Sequence, residues 1–139
     1  MKENKLVELS MDFSVDIINL VKYLKSNHET IISNQIGRSG TSIGANIHEA
    51  QYAQGTKDFI SKFEIALKEA SETGYWLELL YKTKYIDEQT FKALSSKCTF
   101  FESYVDHIVQ NRKGEPSMKK DKMNTLLYLW NAIGIFIIS

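Results

Sequence analysis

Histidine, cysteine and acidic side chains are the groups in this sequence that could bind a metal ion or act as nucleophiles. A di-iron helical bundle needs Glu-x-x-His pairs on facing helices, but no acidic residue here precedes a histidine by three positions. His28, His48 and His107 form no His-x-x-x-His pair, so the zinc-protease motif is missing. Neither Gly-x-Gly-x-x-Gly nor a P-loop sequence occurs. We therefore expect no enzymatic activity, no metal site and no cofactor.

The single cysteine, Cys98, lies between Leu94 and Phe101 on an apolar helix face. This position predicts a packing role rather than a nucleophile. One cysteine cannot form an intramolecular disulfide and fits a reducing compartment. Residues 1–10 contain four charged side chains and no apolar run, unlike a signal peptide. The sequence therefore predicts a cytoplasmic location.

A row of short polar side chains follows one face of a predicted helix. Its members recur every three or four positions and are Gln35, Ser39, Ser42, Asn46 and Glu49. One interpretation is a ligand or partner site that lines a groove. The favoured one is a hydrogen-bonded network between helices, in which Asn46 and Glu49 bond to other helices, because buried polar groups must be satisfied. The same helix contains Gly37, Gly40 and Gly44, and each glycine lowers its helix propensity by about 1 kcal/mol relative to alanine. Because this loss must be offset, the glycines predict close approach of a neighbouring helix.

Basic side chains that could contact phosphates occur mainly after the last predicted helix. The candidates are Arg38, Arg112, Lys113, Lys119, Lys120 and Lys122. Repeated around a ring of subunits, they could form a phosphate-binding patch. The favoured alternative is a solvated connector. Because 17 Lys and Arg balance 17 Asp and Glu, the neutral chain has no long-range attraction to nucleic acid or anionic lipid.

Hydrophobic spacing predicts four helices that position these residues. Their apolar stripes are Leu6, Leu9, Phe13, Ile17, Leu20 and Leu24; Ile32, Ile36, Ile43, Ile47 and Ala50; Phe59, Phe63, Ala66, Ala70, Gly74, Leu77 and Tyr81; and Phe91, Leu94, Cys98, Phe101, Val105 and Ile108. The second helix should run from about Thr30 to Gln54, with a fresh N-cap at Thr56, and Asp87 should cap the fourth. We expect an all-α, antiparallel up-and-down four-helix bundle over residues 1–114, then a basic connector and apolar tail over 115–139.

The third and fourth helices each have a second apolar face. Its members are Ile65, Tyr75, Trp76, Leu79, Phe100 and Tyr104. A helix in a monomeric bundle needs only one apolar stripe, so the second face predicts an interface between copies of the chain. The alternative is a scatter of single surface aromatics, which are common. Two helices with the same pattern favour a homo-oligomer.

The tail from Leu126 to Ile138 is almost entirely apolar. As a helix it would span about 20 Å, which is short of the roughly 30 Å hydrocarbon core of a bilayer. Docking against the bundle or into a ring is favoured over seating on a membrane surface. A third possibility is that the tail has no selected role.

The segment from Gln35 to Ala50 resembles the 23S rRNA intervening-sequence protein family, also called four-helix bundle proteins. Matching positions are Gln35, Arg38, Ser42-Ile43, Ala45-Asn46-Ile47, Glu49-Ala50, Phe59, Phe63, Ala66, Ser71 and Tyr75-Trp76-Leu77-Glu78-Leu79-Leu80. The similarity extends from about Leu6 to Lys113. It implies an up-and-down bundle that assembles as a ring, a pentamer, with an unassigned molecular role.

A related group, the accessory variability proteins of diversity-generating retroelements, resembles a nucleic-acid-binding version of this barrel with a strongly basic surface. The neutral chain departs from that pattern. Two hypotheses follow. The favoured one is an oligomeric interaction scaffold for another protein, and the alternative is an RNA-associated module that uses the basic residues.

Overall fold

The structure, a computed structural model, describes residues 3–114 and 124–132 of the chain. Four long helices are α1 (Glu3–Ser26), α2 (Ile31–Ala50), α3 (Thr56–Lys82) and α4 (Glu88–Lys113). A short helix, α5, covers residues 124–132. Within these two ranges no strand occurs, which confirms the all-α prediction.

Consecutive helices pack side by side: α1 on α2, α2 on α3 and α3 on α4. The predicted apolar stripe of α1 is entirely buried, and that of α2 is buried at Ile36, Ile43 and Ile47 and half-buried at Ile32. Helix α2 ends at Ala50, four residues before the predicted Gln54. The backbone N–H groups of Gln51 and Tyr52 donate to carbonyls three residues earlier, and this tighter turn closes the helix.

The three glycines of α2 allow α1 to approach closely, as predicted. A Cβ atom added at Gly40 would lie 2.7 Å from Cγ1 of Ile17, and one at Gly44 would lie 3.1 Å from the carbonyl oxygen of Ser10. Any larger residue at these positions would push the two helices apart. The propensity lost at the glycines is therefore offset by packing between α1 and α2.

Acidic side chains fix the starts of two helices. Asp87 caps α4 as predicted, because its carboxylate accepts a 2.7 Å hydrogen bond from the Thr90 N–H. At α2, Glu29 accepts from the N–H groups of Ile31, Ile32 and Ser33, at 2.7–3.1 Å. A turn at Asn27 and His28 joins α1 to α2, and the sequence analysis did not predict the cap at Glu29. Helix α3 is preceded by Gly55, so the predicted cap residue Thr56 is its first helical residue.

Two residues of the predicted interface are buried inside the chain. Phe100 and Tyr104 were expected on an exposed face of α4, but their exposed fractions are 1% and 6%. Helix α5 covers this part of α4, with the Trp130 ring centroid 5.2 Å from that of Phe100. The prediction of an exposed second face on α4 is therefore wrong at these positions, because a segment distant in sequence packs there.

The apolar tail docks on the helices over its described part. Trp130 is buried, and Leu126 and Leu127 pack half-buried against the core. The predicted docking against the bundle is thus present for residues 126–132 of the tail, whereas residues 133–138 lie outside the described ranges. Over residues 3–114 and 124–132, no helix combines the length and apolar character needed to cross a membrane.

Alanine substitutions at two glycines should have opposite effects on stability. Gly40→Ala should lower the free energy of unfolding by about 1–3 kcal/mol, because the buried Ile17 cannot move away from the new methyl group. Gly74→Ala should raise it by up to about 1 kcal/mol, because a Cβ atom there meets nothing within 4 Å and helix propensity improves. Urea unfolding of both variants measures the difference, and equal effects would contradict the close packing at Gly40.

Candidate functional site

The polar row of α2 only partly forms the predicted network between helices. Ser39 is buried, and its hydroxyl oxygen lies 2.9 Å from that of Thr73 on α3, in a hydrogen bond. Glu49 pairs with Lys62 of α3 at 2.9 Å. Asn46 was expected to bond to another helix, but its amide donates to the Ser42 carbonyl of α2 itself. The reason is the i, i+4 spacing, which places an acceptor 2.8 Å away within the same helix. Gln35 is exposed.

The described basic candidates already contact groups of this chain. The Arg38 guanidinium pairs with Glu69 at 3.1 Å and also with Glu72. Lys113 donates to Glu64 at 2.7 Å. The Arg112 guanidinium lies 4.3 Å from the centroid of the Phe59 ring. A phosphate would have to compete with these contacts. Lys119, Lys120 and Lys122 lie outside the described residues.

Helix α1 has an apolar line on its outer face that the sequence analysis missed. Met11, Val15 and Ile18, here called the α1 surface stripe, are 63%, 53% and 42% exposed. Their spacing of four and then three places them on one side of the helix, opposite its buried stripe. A search for a second stripe on α1 could have found them, since the same test had identified the second face of α3.

The predicted second face of α3 is present at the surface. Ile65 and Tyr75 are 38% and 60% exposed, while Trp76 and Leu79 are half-buried; these four residues form what we call the α3 face. The rings of Tyr75 and Trp76 meet edge to face with centroids 4.9 Å apart. The Trp76 Nε1 atom is buried and has no hydrogen-bond acceptor among the described residues.

Between α1 and α4 lies a groove, here called the α1/α4 groove, that large side chains and α5 fill over part of its length. The Lys97 ammonium of α4 pairs with Asp16 of α1 at 2.8 Å, and its nitrogen lies 4.7 Å from the centroid of the Trp130 ring. The rings of Phe13 and Phe101 pack across the groove with their centroids 5.5 Å apart. Lys97 is only 4% exposed, so both its carboxylate partner and the aromatic ring offset its loss of hydration.

Towards the start of α4 the groove opens into a cavity of about 880 Å³. Tyr23, Tyr81 and Tyr85 lie around it, and the buried side chains of Leu20 and Leu94 form part of its wall. Lys84 at its rim adopts a left-handed backbone conformation with φ of 67°. The cavity combines apolar walls with hydrogen-bonding rims, as small-molecule and peptide sites do.

Burial controls the titration of the cysteine. Cys98 is 2% exposed, and this burial, with a smaller contribution from the charge of Glu102, raises the pKa of its thiol well above the usual range. Burial also raises the pKa of Glu102. The packing role predicted for Cys98 agrees with its position in the core. Among residues 3–114 and 124–132, no three His, Cys, Asp or Glu side chains are grouped so that they could hold a metal ion.

These features define a small helical protein with two exposed apolar patches, on α1 and α3, and several ion pairs within the chain. The profile of the 23S rRNA-intervening sequence protein family matches residues 2–105. The chain therefore belongs to that family, as the resemblance indicated.

A solved relative supports the same assignment. It is a protein of unknown function from the S23 ribosomal protein family of Bacteroides thetaiotaomicron, 47% identical in sequence. The match covers 75% of this chain and 97% of the relative, with a TM-score of 0.73. Among proteins with curated descriptions, none matches this chain.

The thiol of Cys98 should be protected in the folded protein. We expect little reaction with a disulfide reagent at pH 8, because the thiol is buried and protonated, and full reaction in guanidinium chloride. A Ser71→Cys variant provides the control, since position 71 is exposed on α3. That variant should react with one equivalent at once. Rapid modification of Cys98 in the native protein would contradict its burial.

Proposed function

We propose that this chain is a non-enzymatic subunit of a homo-oligomeric scaffold built on an antiparallel up-and-down four-helix bundle. The observation that carries the proposal is the α1 surface stripe, a line of three large apolar side chains exposed opposite a fully buried face. Complete transfer of a fully exposed side chain of this kind from water contributes about 1.5–3 kcal/mol, and these three are roughly half exposed. An interface along α1 would therefore gain several kcal/mol.

The α3 face provides a second and different surface. It contains two aromatic side chains, whereas the α1 surface stripe contains none, and the two surfaces lie on the helices that flank α2. Two unlike surfaces on one chain favour head-to-tail association, in which the α1 surface stripe of one copy packs on the α3 face of the next. Such contacts close into a ring when the rotation between copies allows it. The pentamer that the resemblance implies is one ring of this kind.

The charges of the described residues favour a protein scaffold over an RNA-associated module. Arg38 and Lys113 are paired with carboxylates of the same chain, which leaves less positive potential for phosphates. The scaffold would present its remaining surfaces to another protein. The single buried cysteine supports the proposed cytoplasmic location.

Val15→Glu should break the assembly. A carboxylate placed in the middle of the α1 surface stripe would lose its hydration on association, at a cost of at least about 2 kcal/mol per contact, or more than tenfold in affinity. Light scattering should show a discrete oligomer for the native chain and a shift towards the 16.0 kDa monomer for the variant. Tyr52→Glu is the matched control, because Tyr52 is 76% exposed but belongs to neither surface.

The same measurement distinguishes the two functions when a short mixed RNA is added at low salt. The scaffold proposal expects no increase in mass. A native chain that is monomeric, or a Val15→Glu variant with an unchanged mass, would refute assembly through α1. An RNA-dependent mass that disappears at high salt would instead favour the RNA-associated module.

A further inference from the structure

Helix α5 packs on the rest of the molecule through Trp130, which is buried, and through Leu126 and Leu127, which are half-buried. Trp130 is 5% exposed, and its ring lies 5.2 Å from Phe100 and 5.1 Å from Phe101, centroid to centroid. On the opposite side of α5, Tyr128 and Leu129 are 72% and 46% exposed. Isolated helices shorter than about 12–15 residues are marginal in water. Contacts with the α1/α4 groove must therefore stabilise α5.

The groove and the helix that fills it belong to different parts of the chain. Asp16, Lys97, Phe100 and Tyr104 all lie within residues 2–105, the part that matches the family. Helix α5 lies beyond that part, and residues 114–123 separate it from the end of α4 in sequence. The α1/α4 groove is thus formed by the part of the chain that matches the family, whereas α5, which binds in this groove, lies outside that part.

We propose that the α1/α4 groove also binds α5 of a second copy, so that neighbouring subunits exchange their C-terminal helices. The occupant is specified by its chemistry: a tryptophan that stacks on the Lys97 ammonium and fits beside Phe100, preceded one turn earlier by leucines. A second copy carries the same helix, so each contact seen within one chain can form between two chains. In an assembly, the local concentration of a neighbour's helix is on the order of millimolar. The exchange rests on the homo-oligomer proposed above, although neither the α1 surface stripe nor the α3 face contacts α5 in it.

Fluorescence of two complementary full-length variants tests the exchange. The chain has two tryptophans, so Trp76→Phe leaves Trp130 as the single reporter. In that background, Phe100→Ala damages the groove and keeps the helix, whereas Trp130→Ala keeps the groove and has no tryptophan. Alone, the Phe100→Ala protein should show red-shifted emission that acrylamide quenches readily. Adding excess Trp130→Ala protein should shift the emission to the blue and restore the protection seen in the Trp76→Phe protein.

Three results would overturn the proposal. The first is emission that stays red-shifted on mixing although both variants retain helical circular dichroism. The second is an equal blue shift with a Trp130→Ala/Phe100→Ala partner, whose groove is damaged, because the signal would then be nonspecific. The third is solvent-exposed Trp130 in the Trp76→Phe protein itself. If Phe100→Ala does not fold, Lys97→Gln provides the groove-damaged variant, since it removes the charge that faces the Trp130 ring. The Tyr128→Ser variant, changed on the exposed side of α5, should exchange as the native helix does.

Discussion

The packing of α1 on the glycine-containing face of α2 is the constraint on which the rest of the structure depends. A Cβ atom at Gly40 would already overlap the Ile17 side chain, and one at Gly44 would lie 3.1 Å from the Ser10 carbonyl oxygen, so the two helices pack almost backbone to backbone at Gly44. On its other side α1 faces α4 through longer side chains, the Phe13–Phe101 ring pair and the Lys97–Asp16 ion pair. Because α1 is held close to α2, the space between α1 and α4 is wider. That space is where α5 docks and where the 880 Å³ cavity opens.

Lys97 shows how this wider space is used. Its ammonium group is almost completely buried, which would be costly for an unpaired charge. Asp16 supplies the opposite charge from α1, and Trp130 supplies an aromatic ring from α5. One side chain of α4 therefore connects three helices. Removing the Lys97 ammonium, the Asp16 carboxylate or the Trp130 ring would weaken the interactions of the other two groups. The position of α5 therefore depends on the Lys97–Asp16 ion pair of the long helices.

Much of the fold could be predicted from the sequence because it depends on local spacing. The buried stripe of α1, the cap at Asp87 and the close approach at Gly40 each follow from residues a few positions apart. The cover over Phe100 could not be predicted in this way. Periodicity shows that a face of α4 is apolar, but it does not show which distant segment packs on it. The same distinction holds for the candidate surfaces. The α3 face was found from its spacing, whereas the network expected at Asn46 required a partner on another helix, and the Asn46 amide donates instead to the Ser42 carbonyl of its own helix.

The apolar faces of this chain consequently differ in whether another segment of the same chain covers them. On α4, Phe100 packs against Trp130 of the chain's own α5, and both Phe100 and Tyr104 are buried within one copy. On α1 and α3, Val15 and Tyr75 remain more than half exposed, although both helices bury apolar side chains on their opposite sides. Unpaired charges do not explain why Val15 and Tyr75 are exposed, because Arg38 and Lys113 pair with acidic side chains of the same chain. A surface with paired charges and unpaired apolar lines gains free energy from association mainly by losing contact with water, and such association is only weakly sensitive to salt. The same physical chemistry that seats α5 on α4 within one copy supports the proposed contacts between copies at α1 and α3.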